Sequence, residues 1–166
     1  MKKIIYFVPE PDTCEELKKL YRKLALTYHP DAGGDTEVMK AVNAEYELLF
    51  FKLKDIHRSA DGVKYTARES TTEVPEDFIN IINAIIRFEN IKIEIVGCFI
   101  WVSGQTRPYA EEFKKLSFRW SHNKTAWYHS PAGYRKKSRK EYSMDDLRTM
   151  FKTQDIETQP QEKIAV

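Results

Sequence analysis

The residues best suited to specific chemistry form a short loop motif, His29-Pro30-Asp31, followed by Gly33 and Gly34. An imidazole and a carboxylate two residues apart can supply a hydrogen-bond donor and an acceptor. Catalysis or metal binding would require a nucleophile, a paired carboxylate or a further ligand, and the surrounding sequence suggests none. We therefore expect this loop to contact a partner, and we expect no catalytic residue, metal site or cofactor.

Two amphipathic helices must position the loop. Thr13 and Glu16 match a capping box before the first helix, Pro30 ends that helix, and Asp35 or Thr36 can cap the second. Apolar residues recur at spacings of three and four on both sides of the loop: Leu17, Leu20, Leu24 and Tyr28 before it, and Met39, Val42, Tyr46, Leu49 and Leu53 after it. Two such stripes joined by a short loop predict an antiparallel helical hairpin.

The side of the first helix opposite its apolar stripe is basic. Four cations fall there: Lys18, Lys19, Arg22 and Lys23. Such charges are usually just a solvated surface, but their position beside the loop favours a docking role. A basic stripe of this kind can steer and orient an acidic partner surface.

The segment from Leu17 to Asp31, LKKLYRKLALTYHPD, resembles the second helix and His-Pro-Asp loop of the J domain, the DnaJ co-chaperone module. The segment from Met39 to Leu49, MKAVNAEYELL, is similar to the third helix of that family. The resemblance implies a regulator with no enzymatic activity of its own, which engages an ATP-loaded DnaK-type heat-shock chaperone and accelerates its ATP hydrolysis. By the same resemblance, His29, Pro30 and Asp31 stimulate the ATPase, and Lys18, Lys19, Arg22 and Lys23 form the docking face.

The chain also departs from the family's usual pattern. Residues 2–12 form a proline-interrupted apolar run instead of the usual first helix, and the fourth helix, the Gly/Phe-rich segment and the zinc repeats are missing from the sequence. The loop form His-Pro-Asp-x-Gly-Gly-Asp resembles loops of viral tumour antigens and of some short J proteins. These features point to a specialised J protein whose second half selects the client.

The second half predicts a small α+β domain. Its elements are a helix at 77–89, strands at 91–95 and 98–102, a short helix from Pro108 to about Leu116, a hairpin of 118–120 with 126–128, and a helix after Ser143. Residues 57–75 lose hydrophobic periodicity and predict a linker, and a polar tail begins at about Thr153. The block Glu94–Tyr128 resembles the C-terminal halves of small J proteins of bacteriophages and mobile elements, a resemblance that brings no assigned activity.

Charge is concentrated in this second half. Residues 107–140 contain ten basic residues against two acidic ones, a local charge of +8, whereas the whole chain carries only +2. Basic residues interleaved with aromatics are typical of single-strand nucleic-acid surfaces, although large aromatics are also the natural filling of a small core. The possible nucleic-acid contacts are Arg119, Lys124, Arg135, Lys136, Lys137, Arg139 and Lys140.

The cysteine spacing and the lengths of the apolar runs indicate the cellular setting of the protein. The two cysteines, Cys14 and Cys98, are far apart and form no Cys-x-x-Cys pair, so neither a disulfide framework nor a zinc ribbon is indicated. No apolar run approaches the roughly 20 residues of a membrane span. We expect a cytoplasmic protein that does not contact membranes.

These observations predict an α+β chain with four parts. A J domain of helical-hairpin form spans 1–56, a linker 57–75, a small basic α+β domain with a short antiparallel sheet 76–152, and a polar tail 153–166. The predicted function is a co-chaperone that stimulates a DnaK-type ATPase, with the C-terminal domain directing it to an unknown client protein. The alternative is a nucleic-acid-binding accessory protein, serving replication or transcription of a mobile element, in which the hairpin is only a scaffold.

Overall fold

The computed structural model describes residues 3–59, 61–131, 134, 136 and 139–151. The chain divides into two compact units. The helical unit comprises Met1–Arg87 with Pro131–Lys140, and the sheet unit comprises Phe88–Ser130 with Glu141–Val166. The predicted polar tail at 153–166 lies outside the described residues.

Two helices and a tight turn form the start of the helical unit. Helix α1 spans Cys14–Tyr28, a 3-10 turn spans Pro30–Ala32, and helix α2 spans Thr36–Leu53. The predicted caps are present: the Thr13 hydroxyl accepts the Glu16 amide at 3.4 Å, and one Asp35 carboxylate oxygen accepts two amides of the first turn of α2. The two helices pack on each other, since the Tyr21 and Tyr46 rings lie 4.6 Å apart. Of the predicted α1 stripe only Leu17 is buried, and Leu20, Leu24 and Tyr28 are half-buried. The predicted α-helical hairpin is confirmed.

Residues 3–12 are not helical and run beside α2. The backbone N–H groups of Ile5 and Tyr6 donate to the two carboxylate oxygens of Glu45 at 2.8 and 2.9 Å. Phe7 is fully buried, and Lys52 pairs with Glu10 at 2.6 Å. A buried acid on α2 therefore fixes the N-terminal segment in place of the family's first helix.

The predicted linker at 57–75 needs correction, because it contains a hairpin. Strands β1, Ile56–Arg58, and β2, Lys64–Thr66, pair antiparallel. Polar contacts tie them to the start of α1: His57 Nδ1 lies 2.6 Å from Glu15, and Arg58 and Lys64 each lie 2.8 Å from Asp12. Hydrophobic periodicity missed this hairpin because ion pairs, not an apolar face, hold it in place.

The predicted domain boundary at residue 76 also needs correction. Helix α3 spans Pro75–Ile85 and belongs to the helical unit. The Phe78 ring lies 5.8 Å from the rings of both Tyr21 and Tyr46, and Phe78 is 1% exposed. The apolar face of α3 completes the core of α1 and α2, so that the second unit starts at Phe88.

The sheet unit contains the predicted α+β elements. Strands β3 Ile91–Val96, β4 Phe99–Gly104, β5 Arg119–Ser121 and β6 Ala126–His129 form one antiparallel sheet in the order β3-β4-β6-β5, with helix α4 at Ala110–Lys115 and helix α5 at Met144–Phe151. Ser143 and Asp146 form the predicted capping box before α5. The fold class is confirmed as α+β.

Each sheet face is covered by one helix. On one face, the Phe113 ring of α4 stacks at 5.4 Å on Trp127. On the other, Met144, Leu147 and Phe151 of α5 pack against a cluster centred on Trp101, and Arg148 pairs with the buried Glu94 at 2.8 and 2.9 Å. Among the described residues, no helix is long and apolar enough to cross a membrane.

Candidate functional site: the His-Pro-Asp turn and its flanking helix

His29 builds the turn that follows α1. Its backbone N–H donates to Ala25, and its carbonyl accepts hydrogen bonds from Ala32 and Gly34, all at 2.9 Å. Its ring Nδ1 accepts the backbone N–H of Asp31 at 3.1 Å. The imidazole thus caps the 3-10 turn that Pro30 begins, as an N-cap side chain does in an α-helix.

The three residues of the motif differ in what they present to solvent. His29 is only 9% exposed, whereas Pro30 is exposed and the Asp31 side chain is 57% exposed. The Asp31 carboxylate lies 3.7 Å from His29 Nδ1, too far for a hydrogen bond. Asp31 is therefore the displayed group of the motif, and His29 shapes the loop beneath it.

The two glycines have separate roles. Gly33 has φ +83°, a left-handed conformation that glycine adopts without strain. Gly34 lies against the end of α1, where an added Cβ would come within 2.2 Å of the Tyr28 carbonyl group. A side chain at Gly34 would push the loop away from the helix.

The predicted basic face is wrong for two of its four residues. Lys18 is 2% exposed, pairs with Glu73 at 2.8 Å and lies 5.1 Å from the centre of the Phe78 ring. Arg22 is 4% exposed. Both lie on the side of α1 that α3 and the residues before it cover, and a single-helix pattern cannot reveal that second cover.

Lys19 and Lys23 remain available at the surface. Lys23 is exposed and Lys19 is partly exposed. Burial lowers the pKa of Lys19, and the nearby carboxylates of Glu15 and Glu16 offset part of that effect. With the exposed Thr27 they form an i, i+4, i+8 row that leads to the turn, and we call Lys19, Lys23 and Thr27 the exposed stripe.

Two acidic residues that support this site were missed by sequence reasoning. Glu73 holds Lys18, and Glu45 holds the N-terminal segment. Glu45 falls among the apolar residues of the α2 stripe, three positions after Val42 and one before Tyr46. An acid in such a position must accept hydrogen bonds from buried donors. An acidic residue within the apolar stripe was therefore the sequence signal that could have revealed this contact.

The described residues that were predicted to contact nucleic acid are divided between the two units. Arg119 is exposed on β5, and Lys124 lies 5.5 Å from the centre of the Trp101 ring in the same unit. Lys136, Arg139 and Lys140 are exposed but belong to the helical unit. Arg135 and Lys137 lie outside the described residues.

Comparison with known proteins finds DnaJ proteins that are similar to part of this chain. Chaperone protein dnaJ A6 of Oryza sativa subsp. japonica is 50% identical over 42 residues, covering 25% of this chain and 10% of that protein. DnaJ homolog subfamily B member 12 of Bos taurus is 55% identical over 38 residues, covering 21% of this chain and 10% of that protein. These matches support a J domain in this chain.

The likeness to a viral protein is longer than the J-domain hairpin. The small t antigen of budgerigar fledgling disease virus is 34% identical over 95 residues, covering 55% of this chain and 56% of that protein. The hairpin from Cys14 to Leu53 is only 40 residues long. The match fits the resemblance of the His-Pro-Asp loop to loops of viral tumour antigens.

The chain spans about half of the small t antigen, and about a tenth of the two DnaJ proteins described above. No family model and no solved structure matches it. The similarity therefore supports the J-domain family, and leaves the activity and partners of the whole protein as proposals.

Proposed function

We propose that this protein is a J-domain co-chaperone that binds a DnaK-type heat-shock chaperone and stimulates its ATPase. The observation that carries the proposal is the rigid turn, in which the buried His29 ring holds Asp31 exposed beside the end of α1. A preorganised loop loses little conformational entropy on binding. The chain supplies no ATP chemistry of its own and acts through the hydrolysis that its partner performs.

The residues that remain at the surface of α1 make the docking contacts. The exposed stripe and Asp31 together present two cations, a hydroxyl and a carboxylate. Lys19 and Lys23 steer the J domain towards an acidic chaperone surface, and Asp31 offers the acceptor at its end. Lys18 and Arg22, being buried, support the fold of the J domain more than its docking.

The sheet unit directs the co-chaperone to a specific client. Its elements are distinct from those of the J domain, and it pairs a small antiparallel sheet with one helix on each face. A unit of this kind, joined to a J domain, can bring one client to the chaperone. We expect pull-down with the full chain to retain a client that is lost when surface residues of the sheet unit are changed.

The docking assignment is tested by charge reversal. Lys23→Glu should lower ATPase stimulation of a DnaK-type chaperone at least tenfold at low salt, because a rim charge mainly sets the association rate. Lys40→Glu is the matched control, since Lys40 is also an exposed helical lysine but lies on α2. Equal stimulation by Lys23→Glu and Lys40→Glu would contradict the docking assignment.

A nucleic-acid-binding role is the second candidate, favoured by one observation. Trp120 is 36% exposed on β5, beside the exposed Arg119. The charge is less favourable, since residues 88–130 of the sheet unit carry six basic residues against four acidic ones. Half of the ten cations between 107 and 140 lie in the segment that belongs to the helical unit.

The second candidate predicts salt-dependent binding of single-stranded DNA or RNA. Affinity should fall steeply as salt rises, and Trp120→Ala should weaken it by about 1–3 kcal/mol per stacked base. Fluorescence anisotropy with a labelled oligonucleotide measures both effects. Absence of binding at low salt would rule this function out.

A further inference from the structure

Four large apolar side chains remain exposed on the helical unit. Ile5 is 62% exposed, Val8 70%, Leu48 48% and Phe51 65%. Phe7 of the same N-terminal segment is fully buried, whereas Ile5 and Val8 on either side of it in the sequence are left exposed. We call these four residues the apolar patch.

The hydrogen bonds of the N-terminal segment bring the patch together. Ile5 is fixed beside Glu45, and Glu10 is fixed beside Lys52 by the 2.6 Å ion pair. These two attachment points on α2 are seven residues, or about 10 Å, apart along the helix. Leu48 and Phe51 lie between them, within about a third of the helix circumference, given a turn of 100° per residue. The two attachment points therefore place residues 5–10 along the stretch of α2 that carries Leu48 and Phe51.

The apolar patch differs from the isolated apolar residues that are common on protein surfaces. Single exposed apolar residues are normal on folded proteins, whereas several in one place mark an interaction site. All four side chains of the patch are at least 48% exposed in the folded chain. The free energy gained by covering it is available to an intermolecular contact.

The charges on the rim of the patch indicate the occupant. Lys52 and Glu10 sit side by side there, with side chains 64% and 45% exposed. A surface that presents one cation and one anion next to an apolar centre is complementary to itself under two-fold rotation, because each copy's Lys52 can meet the other copy's Glu10. We propose that the apolar patch is a homodimer interface, which pairs two copies of this chain through their helical units.

Charge swapping tests this arrangement directly. Lys52→Glu places two carboxylates on each rim, and Glu10→Lys places two ammonium groups there, so either variant alone should dimerise at least tenfold more weakly than the wild type. An equimolar mixture of the two should recover dimerisation, since both intermolecular contacts then join opposite charges. Analytical ultracentrifugation from ~1 µM to ~1 mM protein covers the relevant affinity range.

The matched control uses another exposed ion pair of α2. Lys40 and Glu37 are 2.8 Å apart, with side chains 67% and 80% exposed, and they lie at the other end of the helix. Lys40→Glu and Glu37→Lys, alone or mixed, should leave the mass distribution unchanged. A mixture of the Lys52 and Glu10 variants that stays monomeric while the wild type dimerises would overturn the proposed pairing.

A second set of variants tests the apolar centre. Phe51→Ser should abolish dimerisation without loss of fold, because the ring is 65% exposed. Val63→Ser is the control, since Val63 is 64% exposed between β1 and β2 and lies outside the patch. The wild type should sediment at twice 19.6 kDa, and a wild type that remains at 19.6 kDa up to ~1 mM would overturn the proposal. ATPase assays play no part in this test, so its failure would leave the proposed co-chaperone function standing.

Discussion

At the scale of single residues, the His-Pro-Asp motif divides its work between shaping and display. His29 contributes three backbone hydrogen bonds and one ring hydrogen bond to the turn, and it is 9% exposed. Asp31 is held by that network and faces solvent. The residue types predicted that both side chains offer hydrogen bonds to a partner, but they do not reveal that the ring uses its acceptor inside the loop.

Substitutions of His29 separate these two roles. Asparagine is a good capping residue and can accept the Asp31 amide, whereas alanine cannot. If His29 acts by shaping the turn, His29→Asn should keep most of the ATPase stimulation and His29→Ala should lose it. Loss of about 1 kcal/mol of stability is expected for the alanine variant alone. Equal loss of stimulation in both variants would instead indicate a direct imidazole contact with the chaperone.

At the scale of elements, contacts distant in sequence decide what α1 presents. Glu73 lies 55 positions after Lys18, yet their side chains meet at 2.8 Å, and Phe78 of α3 packs on the Lys18 ammonium. The helices, caps and turn were predicted from local patterns because local interactions specify them. The burial of Lys18 and Arg22 was not predicted, because it depends on where α3 packs.

The Lys18–Glu73 pair gives a stability prediction. Lys18→Met should destabilise the helical unit by about 3–5 kcal/mol, because it leaves the Glu73 carboxylate largely buried without its cation. The double variant Lys18→Met with Glu73→Leu should recover most of that loss, since an apolar pair of similar size replaces a buried ion pair well. Urea unfolding of the full chain measures both. A Lys18→Met variant as stable as the wild type would show that the pair is a surface contact.

The hairpin of β1 and β2 gives a pH prediction. The hydrogen bond and charge of Glu15 raise the pKa of His57 above its ordinary value of 6.5, against the opposing effect of burial. The folded state therefore binds this proton more tightly than the unfolded chain, and the pair's contribution is fully present below pH 6.5 and is lost as pH rises through the folded pKa. The wild type should lose stability over that range, relative to His57→Asn. If the free energy of unfolding of the two proteins depends on pH in the same way, that result would contradict the ion pair.

At the scale of the whole molecule, the two units differ in how much of their structure could be predicted from the sequence. The strands of the sheet unit were predicted well, because alternation marked β3, an apolar run marked β4 and the Ser-His-Asn-Lys-Thr turn marked the β5–β6 hairpin. The helical unit was predicted only in its J-domain hairpin. Its N-terminal segment, its β-hairpin and α3 are attached through Glu45, Asp12 and Phe78, and each attachment joins residues far apart in sequence.

The J domain also explains why the site contains so little chemistry. Its exposed stripe and turn present charges and hydrogen-bonding groups in a fixed geometry, which is what a regulator needs to act on the ATPase of another protein. The similarity to DnaJ proteins spans about a quarter of the chain, and the selection of a target by the sheet unit is a proposal. The central claim is therefore confined to one short turn.

The most direct test of that claim is a single-turnover measurement of ATP hydrolysis by a DnaK-type chaperone, with wild-type protein and with Asp31→Asn. The carboxamide is the same size as the carboxylate and the side chain is exposed, so the variant should fold as the wild type does. We predict that the wild type accelerates hydrolysis and that Asp31→Asn loses at least nine-tenths of the acceleration. Equal acceleration by both proteins, or none by the wild type, would contradict the account.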